Sequence, residues 1–567
     1  MPGAFDRAAA LRRLADTHFD VLVIGGGVTG SGTALDAASR GLRTALVERD
    51  DFASGTSSKS SKMIHGGLRY LQQGDVRLVY EALAERQRLR KNAPHLVKVL
   101  PFLLPVFGKG GVIPRKLSRA LGSAMWMYDL TGGARIGKLH KRISADEALA
   151  HMPTLPKDRL AASYLYYDAR ADDARLTLTL ARTAAIDYGA AVANRTRVIS
   201  VLKDDQGRAC GARVEAADGF GGTTQFDIAA DAVVNAGGVW SDDLRQLDEG
   251  VHPDSIRPAK GVHITVPWSL VRNDIAVVVP VPHDKRSVFV VPWGDLTYIG
   301  TTDTDYDGPL DDPECTPADV EYLLGAINHA ITGEITTADV VGSWAGLRPL
   351  VRDAGSERTA DLSRRHRVTP SASGMVTVTG GKLTTYREMA ADTIDLVLSQ
   401  VLGARVLERV ARHSRTRQLP LRGADGYQEL VTSASVAGRI GGETLDHLAN
   451  RYGGEARTVI AMIERDPSLG EPLVEGLPYV RAEALYAVRY EMATTVDDIL
   501  SRRTRARLLA RDASARAATS VALLVADDLG WDADTVEDQA QAYRQAIDHE
   551  RRAAELPETA LDAATGA

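Results

Sequence analysis

Cysteine is nearly absent. Of 567 residues only Cys210 and Cys315 are cysteines, and no C-x-x-C pair occurs. That excludes a disulfide framework and a thiolate metal cluster and fits a reducing, cytoplasmic setting. Long hydrophobic runs are missing too: no window approaches the roughly 20 apolar residues of a membrane helix. The first 17 residues carry Asp6, Arg7, Arg12 and Arg13 and lack the apolar core of a secretory signal. There is no basic excess either. Lys and Arg total 68 against 74 Asp and Glu, for a net charge of −6, which argues against a general nucleic-acid binder. No internal repeat is present. What remains, 44% hydrophobic and 25% charged residues, is ordinary globular composition in a chain too long for one core, so two or three domains are expected.

The most informative stretch is Phe19-Asp-Val-Leu-Val-Ile-Gly-Gly-Gly-Val-Thr-Gly30. Val21 to Ile24 read as a strand buried on both faces. Gly25, Gly27 and Gly30 then follow at G-x-G-x-x-G spacing, Ser31 to Arg40 as a helix stopped by Gly41, and Thr44 to Val47 as a second strand ending on Glu48. In such a unit the glycines give a tight turn, room for a pyrophosphate and close helix–strand contact. The free N–H groups at the helix start attract phosphate, and Glu48 can accept hydrogen bonds from ribose hydroxyls. The motif predicts an adenine dinucleotide and leaves FAD or NAD open.

Further along, Asp51 to Lys62 is dense in Ser, Thr and Gly, able to bring many donors to a pyrophosphate or flavin edge. A long helix is expected from about Asp75 to Lys91, and residues 94 to 160 read as irregular. Ala232 to Asp242 is a second apolar strand with a glycine turn, 261 to 302 has antiparallel-sheet texture, and Val376 to Thr379 leads into Gly380-Gly-Lys382. From about 411 the pattern is almost wholly helical. Strands near 20, 230 and 376 therefore feed one nucleotide-binding sheet with an antiparallel unit inserted between them. This interleaving points to an FAD protein, because simple NAD dehydrogenases usually keep the nucleotide domain in one piece. The expected fold is α/β: a Rossmann-like FAD-binding domain of 18–92, 160–250 and 340–405, a substrate cap of 93–159 and 251–339, and a C-terminal α-helical domain of 415–560.

Several motifs narrow this further. Thr56-Ser-Ser-Lys-Ser-Ser-Lys-Met-Ile-His-Gly-Gly-Leu-Arg-Tyr-Leu71, Glu81 to Arg86, Asp172-Asp-Ala-Arg-Leu176, Lys260-Gly-Val-His263, Ile299 to Asp303, Gly346-Leu-Arg-Pro-Leu350 and Gly380-Gly-Lys-Leu-Thr-Thr-Tyr-Arg387 resemble those of the FAD-dependent, respiratory glycerol-3-phosphate dehydrogenases. The resemblance runs from about residue 18 to 400 and is weaker in motif beyond. It implies oxidation of sn-glycerol 3-phosphate to dihydroxyacetone phosphate, with hydride passing from C2 to flavin N5 and electrons leaving to a membrane quinone. It also implies a peripheral place on the inner face of the cell membrane; a homodimer is a further expectation. Where the family has Ala-Thr-Gly this chain has Ala236-Gly-Gly238, losing a hydroxyl. No histidine lies in an obvious flavin-attachment motif, so FAD is expected to be non-covalent, and no metal is expected.

The expected cofactor contacts are Gly25, Gly27, Gly30, Glu48, Thr56, Ser57, Ser58, Ser61, Lys62, His65, Gly66, Gly67, Leu68, Ala236, Gly237, Gly238, Gly380, Gly381, Lys382, Leu383 and Thr384. A phosphate dianion needs fixed cations, and the candidates are Arg69, Arg348, Arg364 and Lys382. His263 is the natural base for the hydroxyl proton, Arg348 can stabilise developing alkoxide charge, and Tyr70 can bond the substrate or orient a base. The plainer readings are a packed histidine at 263 and, around Arg364, a solvated basic face. For the membrane, Val97 to Phe107, the cluster around Trp126 and the basic segment Arg502 to Arg507 are candidate contacts, against ordinary packing and salt-bridged surface. Competing functions are a glycerol-3-phosphate oxidase using O2, another FAD-dependent 2-hydroxy-acid or amine oxidoreductase of the same fold, and a flavin-binding regulator without turnover.

Overall fold

The computed structural model describes residues 5–67, 76–107, 136, 138–217, 222–282, 286–352 and 365–559. Leu68, Arg69, Tyr70, the Trp126 cluster and Arg364 lie outside them.

Strand β1 (Phe19–Ile24) is buried along its whole length. It lies between parallel partners, β2 (Thr44–Val47) and β6 (Thr223–Asn235). The sheet continues through β5 (Ala191–Ala193) beyond β2 and β12 (Val376–Thr379) beyond β6. Segments near 20, 230 and 376 thus do join one parallel sheet. Helices α1 (Val28–Ser39) and α2 (Asp173–Ile186) pack against it with almost every residue buried, as the small side chains Gly30, Gly32, Ala34, Ala37 and Ala38 permit.

The second sheet is mainly antiparallel. Its path runs through β7 (Ile256–Pro267), β10 (Leu296–Gly300), β9 (Ser287–Trp293), β8 (Ala276–Pro280), β3 (Lys98–Phe107) and β4 (Leu160–Arg170), with β11 (Gly342–Val351) on the other flank of β7. Since β4 and β11 hydrogen-bond in this sheet, the expected boundaries at 160 and 340 cut through it. The nucleotide-binding segments resume only after 170 and after 351.

Two expected membrane contacts are corrected here. Residues 98–107 form β3, an interior strand between β8 and β4, with Leu103 and Phe107 buried in a core. Its apolar character comes from sitting inside a sheet, and the expectation of irregular chain fails over 98–107. The segment Arg502–Arg507 is not a lipid-facing helix face either. Arg503 and Arg505 are almost fully buried and all four arginines are ion-paired: Arg502 and Arg503 with Asp51, Arg505 with Asp173, Arg507 with Asp497 and Glu550. Among the described residues no helix is long and apolar enough to cross a membrane.

The C-terminal helices from Tyr427 to Ala553 enclose their own core, built on residues such as Leu448, Tyr452, Ile460, Val521 and Tyr543. They are tied to the nucleotide-binding half by buried charge. Asp51 has no exposed surface and accepts from Arg502 Nε at 2.6 Å, Arg503 Nη1 and Nη2 at 2.7 and 2.8 Å, and Asn194 at 3.1 Å. Removing one partner of a buried pair strands the other, at a cost of about 3–5 kcal/mol. Asp51→Ala is therefore expected to lower the free energy of unfolding in urea by that amount, and a loss below about 1 kcal/mol would show that the arginines find water instead.

Candidate active site

The β1–α1 turn is stripped of side chains for steric reasons. A Cβ on Gly25 (φ 113°) would lie 2.6 Å from the Ala236 carbonyl oxygen, and one on Gly30 only 1.9 Å from the Gly25 carbonyl oxygen. Gly27 caps α1 without a side chain to satisfy the first-turn N–H groups, although Ser57 Oγ accepts from Val28 N at 2.9 Å. Around this turn opens a cavity of about 450 Å³. Its walls include Gly25, Gly27, Glu48, Thr56, Ser57, Ala236, Gly237, Gly238, Gly380, Gly381, Lys382 and Leu383. Gly380 and Gly381 have φ of 74° and 79°, and a Cβ on Gly381 would sit 2.3 Å from Met389 Sδ. A backbone-lined slot running from a helix N-terminus to an acid is what a dinucleotide requires. These residues fit FAD.

Glu48 closes one end. Its carboxylate accepts from Gly26 N at 2.6 Å and Asp50 N at 2.8 Å. Burial nonetheless pushes it up to about 7. A carboxyl group that protonates more readily folded than unfolded adds stability that is fully present below its ordinary value of 4.5 and is lost as pH rises through about 7. Between those limits the thermal midpoint of flavin-free wild type should fall relative to that of Glu48→Gln. Parallel pH profiles would mean that Glu48 stays ionised.

The remaining expected residues gather beneath the cap sheet. Alternation along β7 and β11 places His263, Gly261, Trp344, Gly346 and Arg348 on one face, because His263 pairs with Trp344, Gly261 with Gly346 and Ala259 with Arg348. Gly300 on β10 lies opposite His263. The three glycines make the room. A Cβ at 300 would be 2.1 Å from the His263 ring, at 261 it would be 2.6 Å from the Arg348 guanidinium, and at 346 it would be 2.6 Å from the Lys59 carbonyl oxygen. The 56–61 segment is stitched to this face by Thr56 Oγ1 to Leu347 O (2.5 Å), Trp344 Nε1 to Ser60 O (3.2 Å), Tyr298 OH to Ser61 O (2.9 Å) and His263 Nε2 with Ser61 Oγ (2.9 Å).

His263 is buried and stacked on Trp344 at 4.6 Å and 8°. Burial, with the charges of Lys62 and Arg348, holds its pKa well below the usual imidazole value. The ring is neutral at physiological pH, and its Nδ1 has no hydrogen-bond partner among the described residues. In the tautomer whose Nε2–H donates to Ser61 Oγ, the orphaned Nδ1 carries the lone pair and can accept a proton. The Arg348 guanidinium donates to Thr301 Oγ1 and Asp303 at 3.1 Å and to the Thr302 carbonyl.

Several expected cofactor residues do not line this cavity and are bonded to other groups of the protein. Gly30 closes the turn and does not line the cavity. Ser58 and Ser61 face Lys62, Arg505 and the cap sheet. Lys62 is ion-paired with buried Asp173 at 3.2 Å, and Thr384 Oγ1 bridges to the backbone of His65. Gly66 N donates to Asp168 at 3.3 Å. Sequence reasoning missed Trp344, Tyr298, Asp173 and Arg505. The i, i+2 spacing of Trp344, Gly346 and Arg348 was the available signal for the first.

Residues 20–387 match the FAD dependent oxidoreductase family, and 414–536 match the C-terminal domain of alpha-glycerophosphate oxidase. Over 552 residues, 97% of this chain and 91% of the relative, the sequence is 42% identical to glycerol-3-phosphate dehydrogenase 2 of Mycobacterium tuberculosis strain H37Rv. The chain belongs to the FAD-dependent glycerol-3-phosphate dehydrogenase family. Identity to the mitochondrial glycerol-3-phosphate dehydrogenase of Homo sapiens is 39% over 96% of this chain and 75% of that protein. The crystal structure of the Bacillus halodurans glycerol-3-phosphate dehydrogenase complexed with FAD superposes with a TM-score of 0.76 at 30% identity, covering 97% of this chain and 98% of that one. Within this family, the glycine-lined slot and the His263–Arg348 face are the two halves of one candidate site.

Proposed function

We propose that this dehydrogenase-family chain binds FAD non-covalently and oxidises sn-glycerol 3-phosphate to dihydroxyacetone phosphate, passing the electrons to a membrane quinone. The observation that carries the reading is the shared face of β7 and β11, where a neutral buried imidazole and a guanidinium lie together beside a glycine-lined dinucleotide slot. The relatives' names supply the substrate.

FAD, when bound, supplies a two-electron acceptor for the hydride at C2. This chain's residues do the rest. His263 takes the C2 hydroxyl proton on its unpartnered nitrogen, which its depressed pKa keeps available. Arg348, held by Thr301 and Asp303, offers a fixed cation to the developing alkoxide, and its fork also suits a phosphate. Lys382, on the cavity wall after the glycine pair, completes the described cationic set, and Arg69, Tyr70 and Arg364 are proposed as further substrate contacts.

Anaerobic titration of the purified holoprotein with glycerol 3-phosphate tests cofactor, substrate and chemistry together. One equivalent should bleach the flavin band, and an unbleached flavin would falsify the assignment. Readmitting oxygen or a quinone analogue then separates the acceptors. Stoichiometric peroxide without quinone reduction would replace the quinone reading with the oxidase one, to which the C-terminal domain match lends its name.

A further inference from the structure

Lys62 has no place in the reaction just described, yet its surroundings are built around it. It lies in the left-handed region (φ 55°), uncommon for a non-glycine residue, and is 2% exposed. Its ammonium donates to Ser58 O at 3.0 Å and to both oxygens of Asp173 at 3.2 and 3.3 Å. Asp173, fully buried at the start of α2, also accepts from Ser60 N (3.0 Å) and Ser60 Oγ (2.6 Å). From the C-terminal helices Arg505 reaches in, donating to Asp173 at 3.1 Å and to Ser58 O. The loop 58–62 is thus pinned on one side by two cations sharing one carboxylate. Its other side holds His263 through Ser61 Oγ, and Trp344 through Ser60 O.

Trp344 connects the two sides. Its indole carries the Lys62 ammonium at 4.7 Å and the His263 imidazole at 4.6 Å. An indole face attracts one cation, and a second positive charge formed on His263 must share that ring with the first. We propose that Lys62, fixed by Asp173 and by Arg505 of the C-terminal domain, is a positioning residue for His263: its ammonium keeps the ring in the neutral, proton-accepting form, while the Ser60–Ser61 segment it anchors sets the ring's orientation. This rests on the proton-acceptor role given to His263 above. Among the described residues the charged and titratable groups facing the ring are Lys62 from the loop, Arg348 from β11, and Tyr298, edge-on from β10. Asp173 and Arg505 stand behind Lys62 and Asp303 stands behind Arg348. Burial and Arg505 bring Lys62 down to about 8 against the pull of Asp173, so it is charged at neutral pH.

The test uses the full-length FAD-loaded enzyme and the variants Lys62→Met, Lys62→Arg and Ser61→Ala. Removing the ammonium favours imidazolium, so the acid limb of the kcat/KM profile should move up by about one pH unit in Lys62→Met. On that acid limb activity should then fall by up to about tenfold, with the gap closed at neutral pH where the ring is neutral in both proteins, and Lys62→Arg should restore the limb. Titration of the His263 ring by NMR, assigned against His263→Asn, should move by the same amount. A uniform loss at all pH values with an unmoved ring titration overturns the proposal. A ring titration that moves without the kinetic limb leaves the Lys62 assignment standing and removes His263 from the proton-acceptor role. Should Lys62→Met fail to load FAD, Ser61→Ala decides. It takes one hydrogen bond from the ring and no buried charge, and kcat should fall about tenfold with KM and FAD content within twofold. Unchanged kcat, or equal loss of KM and FAD, overturns the orientation claim.

Discussion

Gly30→Val should purify colourless, with flavin below about a tenth of the wild-type ratio of 450 nm to 280 nm absorbance. Even the first carbon of a side chain at this position would lie 1.9 Å from the Gly25 carbonyl oxygen and 3.0 Å from its carbonyl carbon. Both are backbone atoms, so no rotamer relieves the overlap, and the start of α1 must retreat from the end of β1. That shift opens the turn on which the pyrophosphate rests and misaims the first-turn N–H groups that attract it. A β-branched residue adds the stiffness of its side chain to the clash. Circular dichroism should remain that of a folded protein, because the C-terminal core and the cap sheet do not depend on the turn. Full flavin content in Gly30→Val would mean that α1 can slide without disturbing the cofactor, and the turn would lose its assigned role.

The second large effect is at Arg348. Arg348→Ala should lower kcat by about two to three orders of magnitude, the range expected when one fixed donor to developing charge is removed, while flavin content stays within about 20% of wild type. The separation follows from position: Arg348 lies on the cap face with His263, held by Thr301 and Asp303, whereas its neighbour Pro349 lines the dinucleotide cavity. Arg348→Lys should recover little, because one ammonium cannot reproduce the planar fork. Equal losses of turnover and flavin would make Arg348 a structural residue.

How much of this was legible beforehand depends on the range of the interaction. The strand–turn–helix at 19–39 is local: hydrophobic pattern, glycine spacing and the acid at 48 all fall within thirty residues, and each has one good structural solution. Val97 to Phe107 shows the opposite case. A short apolar run with two prolines has no periodicity to separate an interfacial loop from a strand, and only its partners β4 and β8, 60 and 170 residues away, make it a sheet interior. Arg502 to Arg507 misled for a similar reason. A basic run is usually solvated, and nothing local to it announces that Asp51 and Asp173 arrive from the other end of the chain.

The sequence by itself determined that the protein would hold an adenine dinucleotide, because motif spacing and residue chemistry carry that statement, and it nominated His263 and the arginines as candidates for a phosphate-handling site. The tertiary structure decided which side chains share a face. Bringing His263, Trp344 and Arg348 over the 56–61 loop, and setting Arg505 of the C-terminal domain against Asp173, requires pairing between strands and helices hundreds of residues apart. Burial then fixes the charge states: His263 neutral, Lys62 lowered to about 8 and Glu48 raised to about 7. A residue type gives only the ordinary value of a group, and the desolvation that moves it exists once the chain has closed around it.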